Sequence, residues 1–577
     1  MKPFSHNYFI GYINEVTPQY VKVHFPSSNL LHTFHHEGVN FAGGNVGNFI
    51  VIEGEEYGFL ARITELNLPD SERKEINEKA ILEDSTIFHP SGKAELLLTF
   101  SIFDPDKIQK TVTQYPHIGA KVYACSDEQI AKYIKEFGNK DGNNTIYAPI
   151  GKLTSNNAIC NVSLDSLFGR HCAVVGTTGG GKSWTVAKLI EQIVQYTNNK
   201  VILIDATGEY EFLTSKSCLL GVDSYFPYQK LSIPDLFYLL RPTGQSQRPI
   251  LLEAVRSLKI QQIQGQTGVY IKNGALKQPY QQCYNERIAE IENNLCDFDI
   301  KLLAQQIKEE CVYQGANYNK DMTKWGGYDA KTYDFQTSLI GRITDLLNTQ
   351  IFNQLLGFKG LPQTHQSIID VINSFIASNT GTNILRISFE NIPPSFSAKE
   401  IVSNALANFL LKKARLREFV NNPILLFLDE AHQFLNKNIR DEFFEMHSLE
   451  AFDLIAKETR KYGLFLCLST QMPRDIPIGV LSQMGTFIVH RLINDLDKKA
   501  IENAASSANR SVLSFLPILG EGEALLIGVD FPMPLMLKID EPQRKPNSNT
   551  PRLLKVKSLS QSIEHHKSEQ ARSTSKD

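Results

Sequence analysis

One stretch of eight residues decides the fold of this chain: Gly176-Thr177-Thr178-Gly179-Gly180-Gly181-Lys182-Ser183. The apolar run from His171 to Val175 precedes it and has the character of a short buried strand. The residues from Ser183 to Ile190 follow with the apolar spacing of a helix. A glycine-rich turn between a strand and a helix is the setting of a P-loop, so the sequence predicts a phosphate-binding turn here.

The residue types of this turn suit a nucleoside triphosphate and Mg²⁺. Glycines let backbone N–H groups face the phosphates at a place where a bulky side chain would not fit. Lys182 is expected to place its cation on the β and γ phosphates, and Ser183 to offer its hydroxyl to Mg²⁺. The residues predicted to bind the nucleotide are Gly176, Thr177, Thr178, Gly179, Gly180, Gly181, Lys182, Ser183 and Thr185.

A second unbroken apolar run, Ile424 to Leu428, ends in Asp429 and Glu430. Such a run is typical of a strand buried on both faces, whose carboxylates emerge at the edge of the sheet where ligands bind. Asp429 is predicted to hold Mg²⁺ through its water shell, and Glu430 to polarise the attacking water. An acidic pair that caps the following helix is the alternative, and the P-loop upstream argues against it. Because a switch or a kinase can manage without the second carboxylate, the pair favours hydrolysis.

Polar residues lie on both sides of a third apolar strand, Leu464 to Leu468. Gln471 follows the strand; if the strand lies beside the P-loop strand, the Gln471 amide can sense the γ-phosphate and hold the attacking water. A loop glutamine bonded to nearby groups is the other interpretation. Arg460 precedes the strand, and its guanidinium would act if it reached the nucleotide of a neighbouring subunit. On the residues alone, a solvated surface arginine is the commoner explanation.

Composition excludes several classes of protein. The net charge of −3 excludes a globally basic nucleic-acid binder, although a local basic groove stays open. The eight cysteines are scattered with no CxxC pair, so neither disulfides nor a structural zinc is expected. No apolar segment resembles a signal peptide or reaches the roughly 18 residues of a membrane helix. The sequence predicts a soluble cytoplasmic protein.

The hydrophobic pattern divides the chain into five parts. Short alternating runs punctuated by Gly, Pro and Asn predict a small antiparallel β-barrel at the N-terminus. Strands that alternate with helices predict an α/β core, which a segment of helical periods and polar loops interrupts. The predicted parts are the β-barrel at 1–125, the first part of the core at 126–230, a helical insertion at 231–378, the second part of the core at 379–540 and a flexible C-terminal tail at 541–577.

Taken together, the motifs resemble the HerA branch of the HerA/FtsK ATPases. The residues that carry the resemblance are Gly176 to Ser183, Asp205, Gly208-Glu209-Tyr210, Leu428 to His432, Arg460 to Gly463, Ser469 to Gln471 and Leu516 to Leu525. The resemblance implies a RecA-like P-loop core behind a small barrel, and a homo-hexameric ring that hydrolyses ATP with Mg²⁺. It implies movement of double-stranded DNA through the pore, alongside a partner nuclease or another effector enzyme. It also implies that Arg460, in the family's Arg-Lys-Tyr-Gly position, acts in trans.

Two functions stay open at this point. The first is an ATP-driven DNA translocase or helicase that serves DNA processing or anti-phage defence. The second is an ATP-gated scaffold that assembles and regulates a partner effector without translocating DNA. The barrel favours the role of an assembly or docking module over nucleic-acid binding, because no aromatic and basic residues interleave along it. The helical insertion is interpreted as a solvated structural cap.

Two details of the sequence are ambiguous. Ala206 and Thr207 stand where the family often has Pro-His, which leaves the role of Glu209 open. Lys437 and Arg440 follow the acidic strand and are predicted either to contact DNA phosphates in the pore or to be a solvated charge pair.

Overall fold

The computed structural model describes most of the chain. The described residues are 4–41, 43–69, 88–103, 108–109, 114–134, 137–138, 145–155, 157–362, 364–378, 383–393, 395–435, 449–505 and 510–547. Lys437 and Arg440, the predicted pore contacts, lie outside them. No helix in the described part of the chain combines the length and the apolar character needed to cross a membrane.

The N-terminal strands close into a six-stranded barrel, as the sequence predicts. The strands of this part are β1 (Phe9–Val16), β2 (Val21–His24), β3 (Phe34–His36), β4 (Val39–Phe41), β5 (Phe49–Ile52), β6 (Tyr57–Asn67), β7 (Ser91–Ser101), β8 (Ile108–Gln109) and β9 (Lys121–Ala124). Seven of these strands form one sheet in the order β2-β1-β9-β5-β6-β7-β8, and pairing of β2 with β7 closes the ring. Strands β3 and β4 pair with each other in a separate sheet. Strand β2 illustrates why these residues form barrel strands. Val21 and Val23 are fully buried and Lys22 is partly exposed, which is the alternation of a strand with one apolar face.

The second unit is built on one sheet of eleven strands. Its strands, with two that pair apart from it, are β10 (Tyr147–Leu153), β11 (Ile159–Ser163), β12 (Cys172–Val175), β13 (Lys200–Asp205), β14 (Lys216–Leu219), β15 (Ser224–Tyr225), β16 (Gln366–Ser367), β17 (Ile384–Ser388), β18 (Ile424–Leu428), β19 (Leu464–Thr470), β20 (Thr486–Val489), β21 (Glu523–Gly528) and β22 (Leu535–Ile539). The order is β11-β10-β22-β21-β20-β12-β19-β18-β13-β17-β14, and β15 pairs with β16. The strands from β20 to β14 run parallel, and the other four add an antiparallel flank.

Helices pack on both faces of this sheet, and several of them form the predicted helical insertion. They are α1 (Asp127–Ile134), α2 (Leu164–Phe168), α3 (Lys182–Tyr196), α4 (Ile233–Leu240), α5 (Gln247–Ile263), α6 (Gln278–Glu286), α7 (Ile288–Ile291), α8 (Leu303–Glu310), α9 (Ala316–Asn319), α10 (Ala330–Asn348), α11 (Gln350–Leu356), α12 (Ile368–Ala377), α13 (Ala398–Arg415), α14 (His432–Leu435), α15 (Ala451–Glu458), α16 (Ile478–Leu481), α17 (Asp495–Ala504) and α18 (Arg510–Leu513).

The helices of the predicted insertion share the core of the sheet. A capping box starts α4, because the Ser232 hydroxyl accepts from the Asp235 N–H and the Asp235 carboxylate accepts from the Ser232 N–H. Leu251 and Phe352 of this segment belong to the same buried cluster as Ile202 of β13. The insertion is therefore continuous with the core through apolar packing.

The stretch 541–547, predicted as the beginning of a flexible tail, lies along helix α3. The Gln543 N–H donates to Glu191 Oε2 over 2.9 Å, and the Lys545 ammonium lies 5.4 Å from the centre of the Trp184 ring. The Asn547 N–H donates to the Glu209 carbonyl over 2.7 Å. These contacts fix residues 541–547 on the P-loop helix; the rest of the predicted tail, 548–577, lies outside the described residues.

Candidate nucleotide-binding site

The predicted P-loop lies between β12 and α3. Strand β12 ends at Val175 and the helix begins at Lys182. Gly181 caps the helix with a φ of +106°, a conformation that other residues rarely adopt. The Lys182 ammonium folds back over the turn and donates to the Thr177 carbonyl over 3.3 Å. The turn therefore has the backbone conformation and the buried cation that a phosphate site requires.

Strand order brings three of the predicted side chains to this turn. Strand β19 lies directly beside β12, with Val175 opposite Thr470, and β18 lies on its other side, with Leu428 opposite Leu468. Because these strands are parallel, the residues after each of them meet at one edge of the sheet. Gln471 is at the P-loop itself, since its Oε1 accepts from the Thr178 hydroxyl over 2.6 Å.

At the same edge, Asp429 of the acidic pair after β18 is buried and Glu430 is partly buried. Burial, together with the nearby charges of Glu430, Asp205 and Glu209, raises the pKa of Asp429 to about 8, against a lowering influence of Ser469. Glu430 adopts a φ of +44°, and its Oε2 lies 3.2 Å from His432 Nδ1. A carboxyl whose pKa is raised in this way gains most from a cation placed beside it.

Asp205 organises the loop that follows β13. Its carboxylate accepts from the backbone N–H groups of Gly208 over 2.8 Å and of Tyr210 over 3.2 Å. The Arg386 Nε donates to the same carboxylate over 2.7 Å, and both side chains are buried. The Arg386 guanidinium thus balances the charge of the Asp205 carboxylate within the protein. The loop that Asp205 holds places Glu209 near Asp429.

Sequence reasoning missed the role of Tyr210. Burial raises the pKa of its hydroxyl well above the usual value, and the charges of Asp429, Glu209 and Asp205 act in the same direction. The Tyr210 ring is fully buried, and its hydroxyl has no hydrogen-bond partner among the described residues. Ser183 and Asp429, the two residues predicted to hold Mg²⁺, both lie near this hydroxyl. The Gly-Glu-Tyr motif contributes to the family resemblance, and no local pattern assigns the hydroxyl a position.

The residues at this edge fit a divalent cation and its nucleotide. Glu209 Oε2 and Glu430 Oε2 are buried oxygens without a hydrogen-bond partner among the described residues. Buried carboxylates are costly unless a counter-charge accompanies them. In the described part of the chain no three His, Cys, Asp or Glu side chains are spaced to hold a metal ion by themselves. The cation would therefore need the hydroxyl of Ser183, the carboxylate of Asp429 and ligands from the nucleotide or water.

Arg460 lies at the opposite edge of the sheet. It belongs to a 3₁₀ turn, Thr459–Tyr462, directly before β19, and its side chain is exposed. Strand β19 is seven residues long; at about 3.3 Å per residue, its two ends lie roughly 20 Å apart. Within one subunit, Arg460 and the P-loop are therefore not brought together.

The Thr185 hydroxyl bonds to a buried histidine that sequence reasoning also missed. Thr185 Oγ1 lies 2.8 Å from His490 Nε2. The only signal for His490 was its place directly after an apolar strand, the same position that made Gln471 a candidate.

Comparisons with known proteins agree with this geometry. The family model "Helicase HerA, central domain" matches residues 148–414, and "Helicase HerA-like C-terminal" matches residues 419–538; together they cover well over half of the chain. The DNA double-strand break repair helicase HerA of Sulfurisphaera tokodaii is 26% identical over 423 residues, which are 72% of this chain and 74% of that protein. A probable helicase of Methanocaldococcus jannaschii is 24% identical over 466 residues, which are 80% of this chain and 78% of that protein.

Among solved structures, the bacterial conjugative coupling protein TrwB is similar with a TM-score of 0.41 and 13% identity, covering 74% of this chain and 94% of that one. VirB4 of Thermoanaerobacter pseudethanolicus has a TM-score of 0.38 and 16% identity, covering 69% and 97%. The family matches and the P-loop geometry lead to one assignment: the chain belongs to the HerA helicase family and is a P-loop ATPase.

Proposed function

We propose that this ATPase is a DNA translocase that works as a homo-hexameric ring on double-stranded DNA, with ATP and Mg²⁺. The observation that carries the proposal is the separation of Arg460 from the P-loop by the length of β19. An arginine that serves a nucleotide site from that edge needs a second subunit, and head-to-tail contacts of this kind close into rings. The HerA proteins of Sulfurisphaera tokodaii and its relatives are named as DNA double-strand break repair helicases, which favours DNA as the substrate.

Each residue of the site has a role in hydrolysis. Lys182 and the loop N–H groups hold the phosphates. Ser183 and Asp429 would hold Mg²⁺, which would supply positive charge against the developing negative charge of the phosphates. Glu430 accepts a proton from the attacking water. Gln471, already bonded to Thr178, orients that water from the neighbouring strand. Arg460 of the next subunit stabilises the charge that develops on the γ-phosphate.

We propose further that the ring acts with a partner nuclease or another effector enzyme, in DNA processing or in anti-phage defence. The helical insertion supports a docking role, because it exposes large apolar side chains. More than half of the side-chain surface of four of them is accessible: Ile271, Met322, Tyr328 and Phe335. A partner that covered several of these side chains would remove apolar surface from water, which is the physical basis of the proposed docking.

The same exposed residues favour the second candidate function, an ATP-gated scaffold that regulates its partner without moving DNA. A roadblock assay on long duplex DNA separates the two functions. We expect the protein to displace a bound roadblock in the presence of ATP and not of a nonhydrolysable analogue. DNA-stimulated ATP turnover without displacement would contradict translocation and favour the scaffold. A Lys182→Ala protein is the negative control, since it lacks the cation at the phosphates.

A further inference from the structure

His490 lies directly behind the P-loop. It follows β20, the strand that lies beside β12 on the side away from β19. The backbone N–H of His490 donates to the Val175 carbonyl over 2.7 Å. The side chain is fully buried. Its Nε2 lies 2.8 Å from Thr185 Oγ1 and its Nδ1 lies 2.8 Å from the Glu523 carbonyl oxygen. One ring therefore joins the P-loop helix to strand β21.

The chemistry of these partners fixes the tautomer of the ring. A carbonyl oxygen only accepts, so Nδ1 carries the proton and donates to Glu523. Burial, with a smaller effect of the Lys182 charge, lowers the pKa of His490 to about 4 against the opposing Glu523 carbonyl, so the ring is neutral near pH 7. In the neutral ring Nε2 is an acceptor, and the Thr185 hydroxyl donates to it.

His490 also sets the packing of the glycine turn. A Cβ on Gly176 would lie 2.5 Å from His490 Cβ, so only glycine fits at the first position of the loop. A Cβ on Gly181 would lie 3.3 Å from His490 Cε1 and 3.0 Å from Gly522 Cα. The Gly522 N–H donates to the Gly180 carbonyl over 3.3 Å. The back of the P-loop thus rests on His490 and on the turn before β21.

We propose that His490 is a positioning residue for nucleotide binding: it holds the P-loop in its phosphate-binding shape by linking Thr185 to Glu523. A loop that is ordered before its ligand arrives loses less conformational entropy when it binds, so His490 contributes to affinity. The effect falls on the Kd and KM for ATP and spares kcat, because the His490 side chain is fully buried and bonds only to Thr185 and Glu523 among the described residues. The inference rests on nucleotide binding at the P-loop.

Substitutions separate the two bonds of the ring. His490→Asn can place an amide N–H near Nδ1 and keep the bond to Glu523, and His490→Gln can place an amide oxygen near Nε2 and keep the bond to Thr185. We expect His490→Asn and Thr185→Val to weaken binding of a fluorescent ATP analogue roughly tenfold, the effect of one lost buried hydrogen bond. Thr185→Ser keeps the hydroxyl contact and should recover most of the affinity, whereas His490→Gln loses the bond to Glu523 and should weaken binding as His490→Asn does.

A double variant tests whether the two side chains act together. If Thr185 acts through His490, His490→Asn with Thr185→Val should weaken binding no more than either single change, because one bond is removed only once. Additive losses would show that the two residues act independently and would overturn the proposal. The melting temperature of each variant is measured without nucleotide, so that loss of fold is separated from loss of affinity.

His171 provides the matched control. It is also a buried histidine bonded through both ring nitrogens, with 3.0 Å from Nε2 to the Ala456 carbonyl and 2.9 Å from the Leu466 nitrogen to Nδ1, but it lies at the opposite edge of the sheet. His171→Asn should lower the melting temperature and leave the Kd within about twofold, because one hydrogen bond is lost away from the turn. If His490→Asn behaves in the same way, His490 is only a core residue and the inference fails. If the wild-type protein binds no nucleotide, the proposed function itself fails.

Discussion

The two edges of the parallel sheet differ in how completely their polar groups are satisfied. At the amino edge, both ring nitrogens of His171 have backbone partners. At the carboxyl edge, Glu209 and Glu430 each have a buried oxygen without a hydrogen-bond partner in the described part of the chain, although His432 Nδ1 lies 3.2 Å from that of Glu430. His171 is therefore satisfied within one subunit, whereas the acidic cluster at the carboxyl edge is suited to charges that come from outside it.

The amino edge also has features that suit a neighbouring subunit. Arg460 is exposed there, and a cavity of about 510 Å³ opens beside the starts of β13, β18 and β19, lined in part by Asn199, Pro423 and Phe465. The carboxyl edge carries Lys182 at the P-loop, and the amino edge presents the exposed guanidinium of Arg460. On the proposed mechanism one subunit therefore contributes different groups to two sites, and the predictions below test each contribution.

The largest effect is expected from the amino edge. Arg460→Ala should lower ATP turnover by about 10³-fold or more in the assembled protein, because an arginine supplied in trans stabilises the transition-state charge. Nucleotide binding, measured with a fluorescent ADP analogue, should be retained. The control is Arg415→Ala, an exposed arginine that pairs with Glu458 close by. Equal turnover in the two variants would remove Arg460 from the mechanism.

At the carboxyl edge, Glu430→Gln should lower phosphate release by about 10²- to 10⁴-fold, since the carboxylate that accepts the water's proton is gone. Binding of ATP and the melting temperature should stay near those of the wild type, because glutamine has the same shape. Glu211→Gln, an exposed acid near the same edge, is the control. ATPase activity that survives Glu430→Gln would contradict the assigned base.

The buried His171 at the amino edge predicts a pH dependence of the free energy of unfolding. Burial, with a smaller effect of the Arg460 charge, lowers the pKa of His171 to about 4 against the opposing Ala456 carbonyl. The unfolded chain therefore binds a proton near pH 6.5 that the folded chain refuses until about pH 4, so stability is present above pH 6.5 and is lost as the pH falls through this window. Between pH 7 and 4, wild-type protein should lose about 3 kcal/mol more unfolding free energy than His171→Asn in denaturant titrations. Parallel curves would show that His171 is not buried in neutral form.

The smallest effect concerns the contact between the loop and its neighbouring strand. Gln471→Ala removes the acceptor of the Thr178 hydroxyl and should lower turnover roughly tenfold with little change in KM, because its proposed role is to orient the water. Gln483→Ala, an exposed glutamine on the following turn, is the control. A change confined to KM would make Gln471 a binding residue instead.

Local patterns were sufficient where a residue's role follows from its place at the end of a strand. The positions of the glycines before a helix, of the acids after an apolar strand and of the amide after the next strand could be predicted from the sequence, and β19 lies beside β12 as the Gln471 hypothesis required. Their roles in hydrolysis stay predictions. His490 and Tyr210 could not be assigned, because their contacts depend on which strands become neighbours and how the loop after β13 folds. Sequence separation hides such pairs: Thr185 and His490 are 305 residues apart.

The stretch 541–547 is a second place where local sequence patterns were not sufficient to predict the structure. Polar composition after Asp540 predicted flexibility, yet backbone groups of Gln543 and Asn547 find partners on α3 and on the loop of Glu209. Composition describes what a segment can bury, and these contacts depend on backbone hydrogen bonds that any residue except proline can donate.

Mixed assemblies test most directly whether the two edges form one site. Arg460→Ala and Glu430→Gln proteins, each nearly inactive alone, are combined in equal amounts under conditions of subunit exchange, and phosphate release is measured. If neighbouring subunits share a site, roughly a quarter of head-to-tail interfaces join an intact Glu430 to an intact Arg460, and turnover should recover to a corresponding fraction. Mixtures that exchange subunits and stay as inactive as either protein alone would contradict the composite site.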